Sequence, residues 1–369
     1  MKEENKQIYY QNMSLEELTN EANRIIDYLE KCENIEIETE TYQNLIKLNN
    51  LIEKKFHNSS KNINLKTKEK IIEISKKKIM QNNLKKIATD TDFFLKKFFK
   101  TQKKSPLLNP MSYGLFSGGK KIRSKILVDV GKIFDTEYKK LIIVGSAVEC
   151  IHSYSLIHDD LPCMDDDKLR RGKPTVHIKF GESTAVLAGN SLLTLSYEIL
   201  TSDLLKLDNS IKINLVKKIS ECSGHLGIAG GQYLDLSYEH KKVSKKNILQ
   251  MEIKKTGKLF SFCCMAPLLI EKKDSKLVKK FDQIGSEIGL LFQIIDDLID
   301  YKGQASVAGK RTKKDEKKGK ATLISLLGYE NTVKYKDNLI KVLNKKLSHF
   351  GLKSKNLITT LDYIATRDK

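Results

Sequence analysis

The first 113 residues of this 369-residue chain contain no glycine and only two prolines, Pro106 and Pro110. Glycine and proline both interrupt helices, so their near absence predicts that this part of the chain is almost wholly helical or disordered. Long apolar runs are also missing, since no stretch reaches the roughly 18 uninterrupted apolar residues of a membrane span. The polar first five residues lack the apolar core of a signal peptide. We therefore expect a protein without a membrane span.

Cysteines are few, and their spacing carries no motif. None of the six cysteines belongs to a CxxC pair, and the adjacent Cys263 and Cys264 are typical of small core residues. A protein of this kind fits a reducing compartment. We therefore expect a cytoplasmic location.

Arginine is scarce, with six residues against sixty lysines. The formal charge of +20 raises the question of a nucleic-acid partner. However, lysine is spread over the whole chain together with abundant Asn and Ile, which indicates a composition bias and not a binding patch. Four of the six arginines lie in the motif regions described below: Arg123, Arg170, Arg171 and Arg311. Because the planar guanidinium binds phosphates bidentately, this distribution predicts that several anionic phosphates are held.

The N-terminal part of the chain carries two apolar stripes at helical spacing. Ser14 is a typical N-cap for a stripe that runs from Leu15 to Leu29, and a second stripe follows over 42–52. Residues 61–78 are polar and lysine-rich, as in a linker or a charged helix face. The pattern predicts a helical hairpin with its linker over residues 1–78 and a larger domain over 79–369. Long apolar-periodic segments with few alternating runs predict that this larger domain is all-α.

Five aspartates lie within nine residues, directly after a long apolar segment, and two arginines follow: Asp159, Asp160, Asp165, Asp166, Asp167, Arg170 and Arg171. If residues 141–161 form one helix, His152, Ser155 and Asp159 share a face. Pro162 must end or kink that helix, which lets the chain return Asp165 toward Asp159. Such a carboxylate cluster suits Mg²⁺, with the arginines as phosphate clamps. A solvated acidic turn is the alternative, but the preceding apolar run indicates an interior position.

A second acidic set and a glycine-lysine segment complete the motifs. Gln293, Asp296, Asp297 and Asp300 recur at i, i+3, i+4 and i+7, which places them on one helix face. The segment 118–123, Gly-Gly-Lys-Lys-Ile-Arg, joins two flexible residues to three cations, so backbone N–H groups and side chains can approach an anion together.

Together these residues resemble the trans-type short-chain polyprenyl diphosphate synthases, the farnesyl and geranylgeranyl diphosphate synthase family, over roughly residues 80–369. Residues 118–123 are similar to the family's glycine-lysine segment, and 159–165 and 296–300 are similar to its first and second aspartate-rich motifs. The chain departs from the family pattern at Lys121, Ser124 and Asn190. Residues 13–60 resemble, more weakly, the small subunit of exonuclease VII.

The resemblance implies an isoprenoid-synthase-type helical bundle around a central cavity, a homodimer, and roles for individual residues. It implies Mg²⁺ ligation by Asp159, Asp165 and Asp296, with Asp160 and Asp300 nearby or as outer ligands. It implies binding of the allylic diphosphate by Arg170, Lys255, Lys310 and Lys320. It implies binding of isopentenyl diphosphate by Gly119, Lys120, Arg123, His152 and Arg171. We expect Thr256 and Gln293 to direct neutral dipoles at the allylic cation, because charge separation needs fixed dipoles in a dry site.

The implied activity is Mg²⁺-dependent condensation of isopentenyl diphosphate with an allylic diphosphate. Family members set product length one turn or so before the first aspartate motif, where this chain has Tyr154 and Ser155. The tyrosine ring predicts farnesyl diphosphate, and geranylgeranyl diphosphate is the alternative. A terpene cyclase and a regulatory synthase subunit are less favoured, because both aspartate motifs and the 118–123 segment are present. Residues 1–78 could contact the large subunit of exonuclease VII, form a dimerisation arm or bind nucleic acid.

Overall fold

A computed structural model describes residues 10–30, 39–307 and 321–367, with the side chains in these ranges except those of residues 39, 59–76 and 303–307. The chain forms two compact units, Met1–Lys78 and Ile79–Lys369. The first unit holds helix α1 (Leu15–Leu29) and the beginning of helix α2 (Thr39–Thr101). The sequence predicted either a linker or a helix over residues 61–78. These residues lie within α2, so a helix is observed.

The first unit is a helical pair with a small apolar contact. Ser14 begins α1 with a capping box: its hydroxyl accepts a hydrogen bond from the Glu17 amide at 3.2 Å, and its own amide donates to the Glu17 carboxylate at 2.7 Å. Leu18 and Ala22 of α1 are buried together with Leu48 of α2. The predicted N-cap and the facing apolar stripes are therefore confirmed.

The second unit is built almost entirely from helices, as predicted. After α2 come α3 (Leu108–Leu115), α4 (Ile122–Ile133), α5 (Tyr138–Asp159), α6 (Val176–Phe180), α7 (Glu182–Thr201), α8 (Asn209–Ser223), α9 (Ile228–Tyr238) and α10 (Lys245–Glu252). A π-helical turn (Ile253–Gly257) joins α10 to α11 (Lys258–Ile270), and α12 (Ser275–Val307), α13 (Leu323–Leu327), α14 (Tyr329–Ser348) and α15 (Lys355–Ala365) follow. The sequence did not predict a small antiparallel pair, β1 (Leu169–Arg170) with β2 (Lys173–Pro174).

Helix α5 lies at the centre of the second unit. Val144, Ala147, Val148 and Ile151 have no exposed surface, since α4 and α7 pack on either side. Among the described residues, α5 is the one helix long and apolar enough to cross a membrane, and most of it is buried inside the unit. That burial is what a core helix requires, and it brings the polar C-terminal end of α5 to the functional region.

The last helix is fastened to α4 by a buried polar cluster. The Lys125 ammonium lies 2.5 Å from Asp129 Oδ1 and 3.0 Å from Thr360 Oγ1, and Thr360 donates to Asp129 Oδ2 at 2.6 Å. The pairing satisfies charges that would be costly to bury alone. It fixes α15, and with it the side chain of Arg367 just beyond that helix.

Candidate active site

A cavity of about 460 Å³ opens at the C-terminal end of α5. Its walls come from the segment before α4, from α5, from the β1–β2 pair, from the π-helical turn, from α12 and from the C-terminal segment. Charged and polar lining residues predominate: Gly118, Gly119, Lys120, Lys121, Arg123, Glu149, His152, Ser155, Asp159, Arg170, Arg171, Lys255, Thr256, Gln293, Asp296 and Arg367. The structure therefore brings both predicted acidic elements to one cavity, together with those predicted cations that lie in the described ranges.

The first acidic element has the predicted geometry. Helix α5 ends at Asp159, three residues before Pro162, and the chain then turns back so that the Asp165 amide donates to the Asp159 carbonyl at 2.8 Å. The Asp159 side chain lines the cavity. Burial raises the pKa of this carboxyl to about 6, Lys255 opposes the rise, and Asp165 adds to it.

The neighbouring Asp160 is held in a different way. Its buried carboxylate accepts hydrogen bonds from Arg170 Nε at 2.8 and 2.9 Å and from Arg170 Nη2 at 2.5 Å. Arg170 lines the cavity, whereas Asp160, Asp165 and Asp300 are outside its lining. Asp160 is thus placed to orient Arg170, and of the five predicted metal ligands only Asp159 and Asp296 face the cavity directly.

The second acidic element lies on α12 and is tied to the π-helical turn. Gln293 accepts a hydrogen bond from the Thr256 hydroxyl at 3.0 Å and donates to the Asp297 carboxylate at 2.9 Å. Burial raises the pKa of Asp296, although Arg367 opposes this effect. The interlocked amide and hydroxyl dipoles have fixed directions, as the predicted role of Thr256 and Gln293 requires.

Arg367 is a residue of the site that the sequence did not predict. Its guanidinium forms an ion pair with Asp296 and lies 4.0 Å from the centre of the Phe292 ring. Only 8% of the side chain is exposed. A usable signal was present, because arginine is rare in this chain and tends to lie at the site.

Lys255 also has a partner that the sequence did not predict. Its ammonium lies 2.5 Å from a carboxylate oxygen of Asp235 on α9. Helix α9 approaches the π-helical turn so closely that a Cβ on Gly231 would lie 2.1 Å from the Lys255 backbone nitrogen. Glycine at this position is therefore what allows the Asp235–Lys255 pair to form. Beside it, the buried carboxyl of Glu252 has a pKa raised well above its ordinary value by burial and by Asp297 and Asp235.

The glycine-lysine segment forms a turn beside Arg171, which lies in the link between β1 and β2. Gly118 and Gly119 have φ values of 101° and 117°, which side-chain-bearing residues rarely adopt. A Cβ on Gly119 would lie 2.7 Å from the Arg171 guanidinium, which donates to the Gly118 carbonyl. The absence of a side chain at position 119 is therefore what lets the Arg171 guanidinium lie against this backbone.

Arg123 and His152 form the inner wall of the cavity. The Arg123 guanidinium lies 4.7 Å from the centre of the Phe260 ring and donates to His152 Nε2 at 3.3 Å. Burial, together with Arg123, lowers the pKa of His152 well below its usual range. His152 is therefore a neutral acceptor that orients Arg123.

The two predicted product-length residues differ in position. Ser155 lines the cavity, whereas Tyr154 is buried beside it. The Tyr154 ring packs edge-on against His158 with 5.6 Å between ring centres, and its hydroxyl donates to the Ser223 carbonyl at 3.3 Å. Lys310 and Lys320, predicted to bind the allylic diphosphate, lie outside the described residues, as does Arg311.

The donors at the cavity suit a magnesium ion that is completed by its substrate. Within the described ranges, no group of three or more His, Cys, Asp or Glu side chains is arranged to hold a metal. Asp159 and Asp296 nevertheless offer hard oxygen donors from two helices to the same cavity. Mg²⁺ is commonly bound by one or two carboxylates plus substrate phosphates, so this donor set fits it.

Known proteins are similar to this chain in sequence and in fold. A model of the polyprenyl synthetase family matches residues 104–358. Farnesyl diphosphate synthase of Escherichia coli K12 is 38% identical over 270 residues, which cover 72% of this chain and 90% of that protein. A crystal structure of an FPP/GFPP synthase from Zymomonas mobilis has a TM-score of 0.69 at 35% identity and covers 77% of this chain and 98% of the other. The geranyltransferase of Helicobacter pylori, complexed with magnesium and isoprenyl diphosphate, has a TM-score of 0.64 at 30% identity over 76% of this chain and 97% of the other.

The family match begins at residue 104 and so does not test the resemblance of residues 13–60 to exonuclease VII, which stays a prediction. The cytoplasmic location also stays a prediction. From residue 104 onward, the helical fold, the cavity and the match over 104–358 agree. The chain belongs to the polyprenyl synthetase family.

Proposed function

We propose that this protein is a Mg²⁺-dependent trans-prenyltransferase that condenses isopentenyl diphosphate with dimethylallyl or geranyl diphosphate to give farnesyl diphosphate. The observation that carries the proposal is one cavity lined by carboxylates of two helices and by cations of four separate segments. Such a cavity fits two diphosphates, because each needs several positive charges and a metal needs the carboxylates. The name of the Escherichia coli relative supports the same product.

The allylic diphosphate belongs at the mouth formed by α5, the π-helical turn and α12. Asp159 and Asp296 would hold Mg²⁺ there, which when bound would neutralise charge on the departing pyrophosphate. Arg170 and Lys255 face the same space, and each is oriented by a carboxylate behind it, Asp160 and Asp235 respectively. These fixed cations stabilise the pyrophosphate as the C–O bond breaks, without having to reorganise during the reaction.

The allylic cation that remains needs dipoles rather than charges. Thr256 directs its hydroxyl proton at Gln293, so the oxygen lone pairs of both residues are oriented by this one hydrogen bond. Oriented oxygens stabilise positive charge on carbon and, unlike a carboxylate, do not react with it. This arrangement supports the role assigned to Thr256 and Gln293.

The second diphosphate, that of isopentenyl diphosphate, belongs in the inner part of the cavity. Lys120, Arg123 and Arg171 contribute cations there, Gly119 leaves its backbone open, and His152 orients Arg123. The double bond of isopentenyl diphosphate attacks C1 of the allylic cation. Loss of a proton to the released pyrophosphate then restores an allylic diphosphate as the product. We assign Tyr154, which is buried beside Ser155, as the floor of the space in which the chain would lengthen, and therefore expect a C15 product and not C20.

The test is incubation of the purified protein with labelled isopentenyl diphosphate and each allylic primer in turn, with and without Mg²⁺. We expect a C15 alcohol after dephosphorylation, formed only with the metal. A linear C20 product would indicate a geranylgeranyl diphosphate synthase, and a cyclic hydrocarbon would indicate a terpene cyclase. No product from any primer would refute the proposal. Light scattering of the same sample tests the homodimer that the family resemblance implies.

A further inference from the structure

A second, open groove of about 780 Å³ lies on the other side of the π-helical turn from the catalytic cavity. Its floor is apolar and consists of Leu226, Leu249 and Ile253. Leu226 is 53% exposed, so the floor is open to solvent. Four lysines surround this floor: Lys245, Lys246, Lys254 and Lys258. The remaining lining residue is Gln250, and no carboxylate belongs to the lining among the described residues.

The charge of the groove is only partly balanced by its surroundings. Lys258 lies 3.4 Å from a carboxylate oxygen of Asp282, and Lys245 lies 4.6 Å from the centre of the Tyr335 ring. Lys246 and Lys254, by contrast, form no ion pair with any described residue. Two cations thus remain available beside the exposed Leu226 and the half-buried Leu249 and Ile253, an arrangement that fits an anionic head attached to an apolar chain.

We propose that this groove is a second binding site for a prenyl diphosphate, the class of molecule that the proposed function would produce. The inference rests on that proposed function for the identity of the ligand. Lys246 and Lys254 bind the diphosphate, and the prenyl chain covers Leu249, Ile253 and Leu226. The groove volume is within the roughly 300–1,000 Å³ typical of small-molecule sites, and burying exposed apolar surface favours binding.

The groove and the catalytic cavity share one short segment of backbone. Ile253 and Lys254 line the groove, whereas the next two residues, Lys255 and Thr256, line the catalytic cavity. All four belong to the π-helical turn, a rare conformation that is frequently found at functional sites. A ligand that holds Lys254 therefore acts on the position of Lys255, and occupation of the groove should change turnover even when the catalytic cavity is saturated with substrate.

The experiment counts binding sites on the full-length protein with farnesyl thiodiphosphate, an unreactive probe, by equilibrium dialysis in the presence of Mg²⁺. Wild type should bind two molecules per chain. The Lys246→Ala/Lys254→Ala variant should bind one tightly, with the affinity of the other reduced at least about tenfold, because hydrogen bonds to a charged head are lost. The Lys241→Ala/Lys242→Ala variant removes two exposed lysines just outside the groove and should still bind two.

Further variants separate this inference from the proposed function. Asp159→Ala/Asp296→Ala should lose the catalytic site and keep one lysine-dependent site. One molecule per wild-type chain, unaffected by Lys246→Ala/Lys254→Ala, would overturn the inference even if prenyl transfer is observed. Lysine-dependent binding at a second site would uphold it even if turnover fails. Binding to phosphatidylglycerol vesicles without a second site for the soluble probe would overturn it in favour of a membrane surface.

Discussion

Asp159 and Asp160 are adjacent in the sequence, yet the structure predicts that replacing them has opposite consequences. Asp160→Asn removes a carboxylate, with 4% of its side chain exposed, that accepts three hydrogen bonds from Arg170. Breaking a buried ion pair costs roughly 3–5 kcal/mol. Because burial raises the pKa of Asp160 despite Arg170, and because 29% of the Arg170 side chain is exposed, we expect a smaller loss, about 1–2 kcal/mol. For the second unit, Ile79–Lys369, that corresponds to a Tm lower by roughly 2–3 °C.

Asp159→Asn should leave the fold intact or stabilise it. The pKa of this carboxyl is raised from 3.8 to about 6, so the folded state disfavours the ionised form. At pH 7 this corresponds to an electrostatic cost of about 3 kcal/mol, present above the folded pKa and absent once the group is protonated in both states. The uncharged amide in the Asp159→Asn variant should relieve part of that cost. Activity should nevertheless fall at least about a hundredfold in kcat, since one preorganised electrostatic element is lost.

Thermal unfolding and steady-state kinetics on the two variants test this division, and a double-mutant cycle with Arg170→Ala sharpens it. The Asp160→Asn/Arg170→Ala variant should lose less unfolding free energy than the two single variants lose together. The difference, which is the coupling energy, should be about 1–3 kcal/mol. If Asp160→Asn unfolds at the wild-type temperature while losing as much activity as Asp159→Asn, then Asp160 acts at the metal and the reasoning fails.

Three further predictions concern product length, the extension and pH. Tyr154→Ala should lengthen the product toward C20 while Tyr154→Phe keeps C15, as judged by chromatography of the dephosphorylated products; an unchanged C15 product from the alanine variant would place the floor elsewhere. A chain starting at Ile79 should retain prenyl transfer, because the site residues all lie in the second unit, and a folded but inactive truncated protein would contradict this. The apparent affinity for Mg²⁺ should weaken as the pH falls below about 6, because Asp159 then takes up a proton. If the measured affinity does not change between pH 5 and 8, Asp159 is excluded as a ligand.

Local features of the sequence predicted local features of the site. The end of α5 near Pro162 and the return of Asp165 to Asp159 follow from the geometry of proline, which acts on its immediate neighbours. The common helix face of Gln293 and Asp296 follows from helical periodicity. Both predictions needed only residues within one helix or one turn.

Pairings across the fold could not be obtained in this way. Asp160 meets Arg170 across an irregular loop, and Asp296 meets Arg367 from 71 residues away. Periodicity within a segment carries no information about such contacts. The rarity of arginine was the single signal able to cross these distances, and extending it to Arg367 would have found the missing residue.

Burial raises the pKa of Asp160 and of Asp296 as well as that of Asp159, so what sets Asp159 apart is the lack of a paired cation among the described side chains. Burying a carboxylate is costly unless a cation or hydrogen-bond donor accompanies it. Arg170 accompanies Asp160, Lys255 accompanies Asp235, and Arg367 accompanies Asp296. Asp159 accepts no hydrogen bond from a described side chain, so Lys255 and Arg170 act on it only from a distance, and its pKa rises to about 6. For Asp159, therefore, a bound divalent cation would relieve a cost of burial that no paired side chain offsets, and protonation of Asp159 would compete with the metal.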